Sequence, residues 1–367
     1  VFLENRVGLA DECCATMVGL VGVLLDAAGA DNVARGRIPG EHGTLNPEFL
    51  IATQPRLYIG TGIGSLATSD KSPLRIVLGA DHRLGPGKFD LIEAIGRRGA
   101  YLALLQQYPQ ALRRVADLMS ASRWGAQFLT RHPILLDEML DARNLDSAPD
   151  WKAFRASLAA ELDALEPDME RQMDVMREQH HAQVFRLLTQ DIAGLLTVEK
   201  LADHLSELAD IVLDLTLPLC WRRIKIRHRE DPKFAVISYG KLGGKELGYA
   251  SDLDIVFLYD DAAAEAPEMY NRLAQRTNTW LSSQTAAGQL FDTDLRLRPN
   301  GESGLIATSL ESFRKYQMES AWVWEHQALT RARFCAGDAA VGEQFEAIRR
   351  DLLTQPRDVA ALRREVL

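Results

Sequence analysis

Two short apolar runs, Phe234–Ser238 (FAVIS) and Ile255–Tyr259 (IVFLY), flank a stretch with four glycines that ends in two aspartates, Gly240–Asp254 (GKLGGKELGYASDLD). Apolar runs of this length bounded by glycines and charges read as buried strands. A strand therefore feeds a glycine-rich turn, and a second strand leaves it carrying Asp252 and Asp254. Side chains alternate along a strand, so these carboxylates point the same way, about 7 Å apart. Neighbouring carboxylates repel unless a cation lies between them, and Mg²⁺ takes such oxygen ligands together with substrate phosphates. Gly240, Gly243, Gly244 and Gly248 permit positive φ and let a phosphate approach backbone N–H groups. The pattern predicts a nucleoside triphosphate site, with Lys241 and Lys245 as point charges for its phosphates.

Two metal ions clamping an in-line displacement need a third carboxylate. Phe291–Gly301 (FDTDLRLRPNG) supplies it. Read as a strand, this segment places Asp294, Arg296 and Arg298 on one face and Leu295 and Leu297 on the other, with Pro299 and Gly301 closing it. Asn300–Gly304 is then a loop beside the site, suited to base or ribose contacts.

The stretch resembles the signature of the nucleotidyltransferase superfamily: Gly-Ser, a spacer, Asp-x-Asp and a distal Asp. Gly240-Lys241 stands where Gly-Ser is usual. Within that superfamily, Tyr239–Asp254, Asp294–Pro299 and Tyr316–Arg333 resemble the glutamine synthetase adenylyltransferase/adenylyl-removing family. The resemblance runs from about Phe89 to Gly337 and is nearest to the C-terminal of that family's two catalytic copies. It implies a fragment whose regulatory C-terminal helices would follow Leu367.

The resemblance implies an α+β fold, a helical linker region leading into a polymerase-beta-like mixed sheet flanked by helices. It implies a cytoplasmic enzyme that moves AMP from ATP to a tyrosine hydroxyl of glutamine synthetase, with two Mg²⁺ ions and pyrophosphate as product. Asp252, Asp254 and Asp294 would be catalytic residues and metal ligands. Gly240, Lys241, Gly243, Gly244, Lys245, Ser251, Arg296 and Arg298 would bind the nucleotide. The PII signalling protein would be a further partner, through parts outside this chain. Phosphorolytic removal of AMP by the same acids is an alternative, as is an inactive fragment that serves as a binding module.

Charge narrows the partners. At net −9 over 367 residues, and without an aromatic-basic stripe, the chain does not suit nucleic acid. The apolar stretch Met17–Leu25 is too short to span a bilayer, so no membrane partner is expected. Cys13, Cys14, Cys220 and Cys335 make no disulfide framework.

The domains expected are an unassigned segment 1–87, helices over 88–218, a catalytic domain over 219–340, and the start of a helical region over 341–367. In the first, Val18–Leu25 suggests a short helix, Arg56–Ile59 a strand and Gly60–Gly64 an ordinary turn. His132 before Pro133 reads as a cap or turn residue. Asp150 is a candidate N-cap for an amphipathic helix bearing Trp151, Phe154, Leu158, Leu162 and Leu165, and Met169, Met173 and Met176 read as core. His180-His181 makes a poor chelate, because adjacent helical residues diverge by about 100°. A helix through Leu201–Leu215 is expected to end at Pro218. Arg222–Arg229 and Asp260-Asp261 read as solvated. Thr308–Glu311 reads as a capping box opening one helix near Ser309, with Trp322 and Trp324 in the core. Glu325, Gln327, Arg331 and Arg333 either line the nucleotide pocket or support Asp294, or else pack or form surface pairs.

Overall fold

The computed structural model describes residues 2–5, 13–16, 42–45, 57–61 and 74–78, isolated positions between 108 and 121, and residues 122–140 and 147–356. The chain divides into two compact units, one of residues 1–147 with 188–192, the other of residues 148–187 with 193–367.

In the first unit, β1 (Phe2–Asn5), β2 (Cys13–Thr16), β3 (His42–Leu45), β4 (Leu57–Thr61) and β5 (Leu74–Leu78) form a sheet in the order β3-β2-β1-β4-β5. β1 and β4 pair in parallel, and the other pairs are antiparallel. The strand expected at Arg56–Ile59 thus extends through Gly60 and Thr61, which lie in a strand and not a turn. Val18–Leu25 and Gly62–Gly64 lie outside the described residues. Further on, Ser122 caps α1 (Arg123–Arg131), its Oγ accepting from the Gly125 N–H at 2.9 Å. His132 closes that helix, donating its N–H to the Phe128 carbonyl before Pro133.

The second unit begins with α2 (Trp151–Ala164), opened by Asp150, whose Oδ1 accepts from the Ala153 N–H at 2.9 Å. α3 (Met169–Ile192) follows, with residues 169–187 in this unit and 188–192 in the first. Met176 is buried on it as expected, but Met169 is 42% exposed. α4 (Val198–Arg222) runs through Pro218 instead of ending there. Leu217, Leu219, Cys220 and Trp221 are all buried around the proline, and that packing outweighs a penalty of about 3 kcal/mol.

The sheet of the second unit is built from β6 (Phe234–Ser238), β7 (Leu253–Tyr259), β8 (Thr293–Asp294), β9 (Ala307–Ser309) and β10 (Arg333–Gly337). Around it lie α5 (Gly240–Gly243), α6 (Ala266–Ser282), α7 (Leu310–Glu319), α8 (Val323–Leu329) and α9 (Ala339–Thr354). The order is β10-β6-β7-β8, with β9 also on β7. β6 is antiparallel to both β10 and β7, whereas β8 and β9 run parallel to β7. Every residue of β6 is buried. One face packs Ala235, Ile237, Val256 and Leu258 with Phe313 and Phe345. On the other, Phe234 stacks on Phe257 and on Tyr270 of α6.

Several surface expectations are corrected here. Asp261 is only 6% exposed: its carboxylate contacts His228 Nε2 at 2.7 Å and Arg229 at 3.2 Å, and accepts from the Tyr270 hydroxyl at 2.8 Å and the Ala263 amide at 3.1 Å. The basic run is therefore partly folded inward, with Arg223 donating to Gln172 and Glu166. The helix expected from Ser309 breaks at Ser320–Trp322, so α7 and α8 are separate. That break turns Trp322 and Trp324 outward, 63% and 55% exposed. Ser309 caps α7 by accepting from the Ser312 N–H. No helix among the described residues is long and apolar enough to cross a membrane.

Candidate active site

The two expected strands form, and the glycine segment between them starts with a single helical turn. Tyr239 donates its N–H to the Asp254 carbonyl at 2.8 Å, tying the end of β6 to the start of β7. The chain then bends through Gly240 at φ +52°, a conformation that glycine adopts without penalty. A Cβ at Gly240 would overlap Oδ2 of Asp254. Gly243 and Gly244 behave differently from expectation. Neither has a positive φ, and a Cβ on them would meet the backbone carbonyl and the guanidinium of Arg331. Their small size serves packing against Arg331, which pairs with Glu246. Lys245, not a glycine, holds the other positive φ of the turn, +53°.

Parallel pairing of β7 with β8 sets Asp254 opposite Asp294. Asp252, one residue before β7, completes a cluster in which one carboxylate oxygen from each aspartate lies within 4.8 Å of the others. Burial, followed by the charges of Asp252 and Asp294, holds the Asp254 carboxyl above the ordinary aspartate pKa, while Lys241 and Arg296 pull the other way. Asp294 is shifted oppositely: hydrogen bonds from the Arg296 guanidinium hold it below the ordinary range.

The strand expected across residues 291–298 stops at Asp294. Arg296 and Arg298 lie in a turn, which opens when the Arg296 N–H donates to Asp294 Oδ1 at 2.8 Å. The Arg296 side chain folds back on the same carboxylate, with Nε 2.9 Å from Oδ2. Arg298 pins the turn by donating to the Leu295 carbonyl at 2.7 Å and the Gly304 carbonyl at 3.4 Å. Ser251 Oγ accepts from the Gly248 N–H at 3.0 Å and closes the bend before Asp252. Lys241 is exposed and within electrostatic reach of Asp254, whereas Lys245 acts on Asp210.

The downstream polar residues separate into distinct roles. Arg333 does not reach Asp294: it forms a two-pronged pair with Asp210 of α4, at 2.7 and 2.9 Å, and donates to the Leu242 carbonyl at 3.2 Å. Glu325 accepts from the Tyr316 hydroxyl and the Trp322 N–H, each at 3.1 Å. Two supports escaped the sequence reading. Asn278 of α6 accepts from Thr293 Oγ1 at 2.6 Å, next to Asp294. Arg177 of α3 is fully buried and donates to the carbonyls of Met173, Trp280, Ser283 and Gly288. Only the Met173 bond is local, so no sequence motif marks Arg177. His180 and His181, expected to be poor ligands, are buried, with His180 edge-on to Phe291 and His181 Nε2 3.0 Å from the Gln289 carbonyl.

A mixed sheet in which the central strand and its parallel neighbour bring aspartates together beside a glycine turn is the α+β arrangement of nucleotidyltransferases. The sequence model of the family described as "Glutamate-ammonia ligase adenylyltransferase" matches residues 112–348. The chain is 81% identical over 278 residues to the bifunctional glutamine synthetase adenylyltransferase/adenylyl-removing enzyme of Aromatoleum aromaticum, covering 76% of this chain and 30% of that protein. It is 60% identical over 277 residues to the enzyme of the same name from Chromobacterium violaceum, covering 76% and 31%. For that of Ralstonia nicotianae, identity is 58% over 281 residues, covering 76% and 29%. The chain belongs to the glutamate-ammonia ligase adenylyltransferase family, and it spans about three tenths of the length of these relatives.

Proposed function

We propose that this chain carries an adenylyl-transferring site: AMP moves from ATP to a tyrosine hydroxyl of glutamine synthetase, and pyrophosphate leaves. The observation that carries this reading is the convergence of Asp252, Asp254 and Asp294. An all-oxygen, all-carboxylate set this close suits a hard divalent cation; burial first, and then the charges of Asp252 and Asp294, hold the Asp254 carboxyl above its ordinary value, and a cation there would offset both. The three aspartates would hold Mg²⁺, which when bound supplies charge neutralisation for the triphosphate and acidifies the acceptor hydroxyl.

The remaining work falls to the chain's own groups. Lys241, exposed beside Asp254, offers a charge to the phosphates. Arg296 is 74% exposed and can exchange the Asp294 carboxylate for a phosphate oxygen. The acceptor tyrosine has a free pKa of about 10 and must lose its proton. Asp294, an ionised carboxylate at neutral pH whether or not Arg296 leaves it, orients the hydroxyl, accepts its hydrogen bond and passes the proton on to solvent. Arg298 keeps the turn after Asp294 in place. In this reading glutamine synthetase is the protein substrate, and the PII signalling protein is a partner of the full-length enzyme.

The test is to incubate the chain with α-labelled ATP, Mg²⁺ and unmodified glutamine synthetase, beside an Asp252→Asn control. Label on the synthetase with the parent chain alone supports transfer. Equal labelling by the Asp252→Asn chain, or none with the parent, overturns it. A parallel incubation of adenylylated synthetase with phosphate measures the removing direction.

A further inference from the structure

A cavity of about 500 Å³ opens in the second unit among α3, α4 and α6. Its volume falls within the roughly 300–1,000 Å³ of small-molecule sites. Met169, Met173, Cys220 and Trp280 give it an apolar surface, and Arg223 and Arg276 line it as cations. It takes no part in the aspartate cluster. On α6, Arg272, Arg276 and Thr279 face the cavity, whereas Asn278 projects from nearly the opposite side of the helix to meet Thr293.

The polar groups of this cavity are incompletely used. Arg272 pairs with Glu268 one turn earlier. Arg223 spends its terminal nitrogens on Gln172, Glu166 and the Pro167 carbonyl, but its Nε–H is buried without an acceptor. The Arg276 side chain has no hydrogen bond or ion pair among the described residues. Both guanidiniums act electrostatically on the Cys220 thiol, yet burial pushes that thiol up to about 12. Cys220 is therefore a neutral, inert part of the wall. Trp280 gives its Nε1–H to the Met176 sulfur at 3.2 Å and, at 3% exposed, forms the floor of the cavity.

We propose that this cavity binds a small organic anion. A carboxylate or phosphate group would lie between the guanidiniums of Arg276 and Arg223, and an apolar or aromatic body would rest on Met169 and Met173. The cations explain the need for negative charge, and the methionine surface explains why a bare inorganic ion would be held less well.

Calorimetry on the 367-residue chain would compare phenyl phosphate, benzoate, inorganic phosphate and benzyl alcohol. Arg276 lines the cavity and not the aspartate cluster, so dependence of binding on Arg276 reports on the cavity. The expected result is one saturable site for phenyl phosphate or benzoate, with the tighter of the two identifying the head group. Inorganic phosphate and benzyl alcohol should bind at least about tenfold more weakly, a difference of about 1.4 kcal/mol. Arg276→Gln, an exposed position whose loss leaves the fold intact, should weaken the aromatic anion by a similar factor. Absence of binding at millimolar concentration, binding unchanged in Arg276→Gln, or benzyl alcohol binding as tightly as the anions would each overturn the proposal.

Discussion

Gly240 and Asp254 are packed so closely that a single methyl group on the glycine would overlap the aspartate Oδ2. The contact couples the bend after β6 to a carboxylate of the site, and Gly240 also sits at φ +52°. Gly240→Ala therefore meets a steric and a backbone penalty together, each on the order of 1–3 kcal/mol. Thermal unfolding should show the loss of stability, and Mg²⁺-dependent ATP binding should weaken because Asp254 is displaced. An alanine variant with parental stability and parental ATP affinity would show that the close contact does not exist.

Asp254 carries the opposite bargain between stability and function. Its folded pKa is raised, first by burial and then by Asp252 and Asp294. A carboxyl with a folded pKa above its unfolded value binds protons more readily when folded. Metal-free stability therefore increases as pH falls through that raised value and decreases as pH rises through it. Asp254→Asn removes the charge with little change in shape. The metal-free variant should melt higher than the parent at neutral pH while transferring AMP orders of magnitude more slowly. The parent's Mg²⁺ affinity should also fall as pH drops, because protons compete for the same oxygens. A lower melting temperature for metal-free Asp254→Asn would contradict this balance.

The Asp261 cluster behaves in the reverse sense. Burial alone would raise its carboxyl, but hydrogen bonds from His228, the Ala263 amide and Tyr270, with Arg229 alongside, outweigh that and hold it at about 2. A depressed folded pKa contributes stability above the unfolded value, and the contribution is lost as pH falls toward 2. Asp261→Asn should cost about 2–3 kcal/mol at neutral pH, because Arg229 loses its counter-charge and the donors around the carboxylate lose part of their acceptor. Denaturant titrations at neutral and strongly acidic pH should show the parent–variant difference shrinking in acid. A difference that stays constant would mean that the cluster acts through packing alone.

What the sequence revealed, and what it concealed, follows from the range of the interactions. Phe234–Ser238 and Ile255–Tyr259 announce themselves by local hydrophobic pattern, and the distal Asp294 by its place in a motif. The cap at Asp150 and the closing role of His132 are likewise local. Alternation failed after Asp294 because the Arg296 amide and guanidinium bind that aspartate and turn the chain, a competition that strand periodicity does not register. Pro218 misled because burial of its neighbours Leu217, Leu219, Cys220 and Trp221 overrode a local rule. Gly243 and Gly244 were read as space for phosphate, yet their neighbour Arg331 lies nearly ninety residues away, beyond any local pattern. Asp261 and His228 also meet only in the folded state, so both looked like surface charges.

Arg177 is the clearest case of a long-range support for the site. Its guanidinium, fully buried, is the common donor to the carbonyls of Trp280 and Ser283 at the end of α6 and of Gly288 in the loop that returns toward β8. Burial lowers its pKa to about 10, so it remains charged at neutral pH. Arg177→Met keeps much of the volume but leaves those carbonyls and that of Met173 without the donor they share. The loss should be about 3–5 kcal/mol in denaturant unfolding, the range for removing one partner of a buried charged network. Because the same loop leads to Thr293 and Asp294, the folded fraction of the variant should also bind Mg²⁺·ATP less tightly. Arg177→Lys, which keeps the charge but has too few directed donors for four carbonyls, should recover only part of either property. Full recovery by lysine would mean that the positive charge, and not the geometry of the guanidinium, holds the loop.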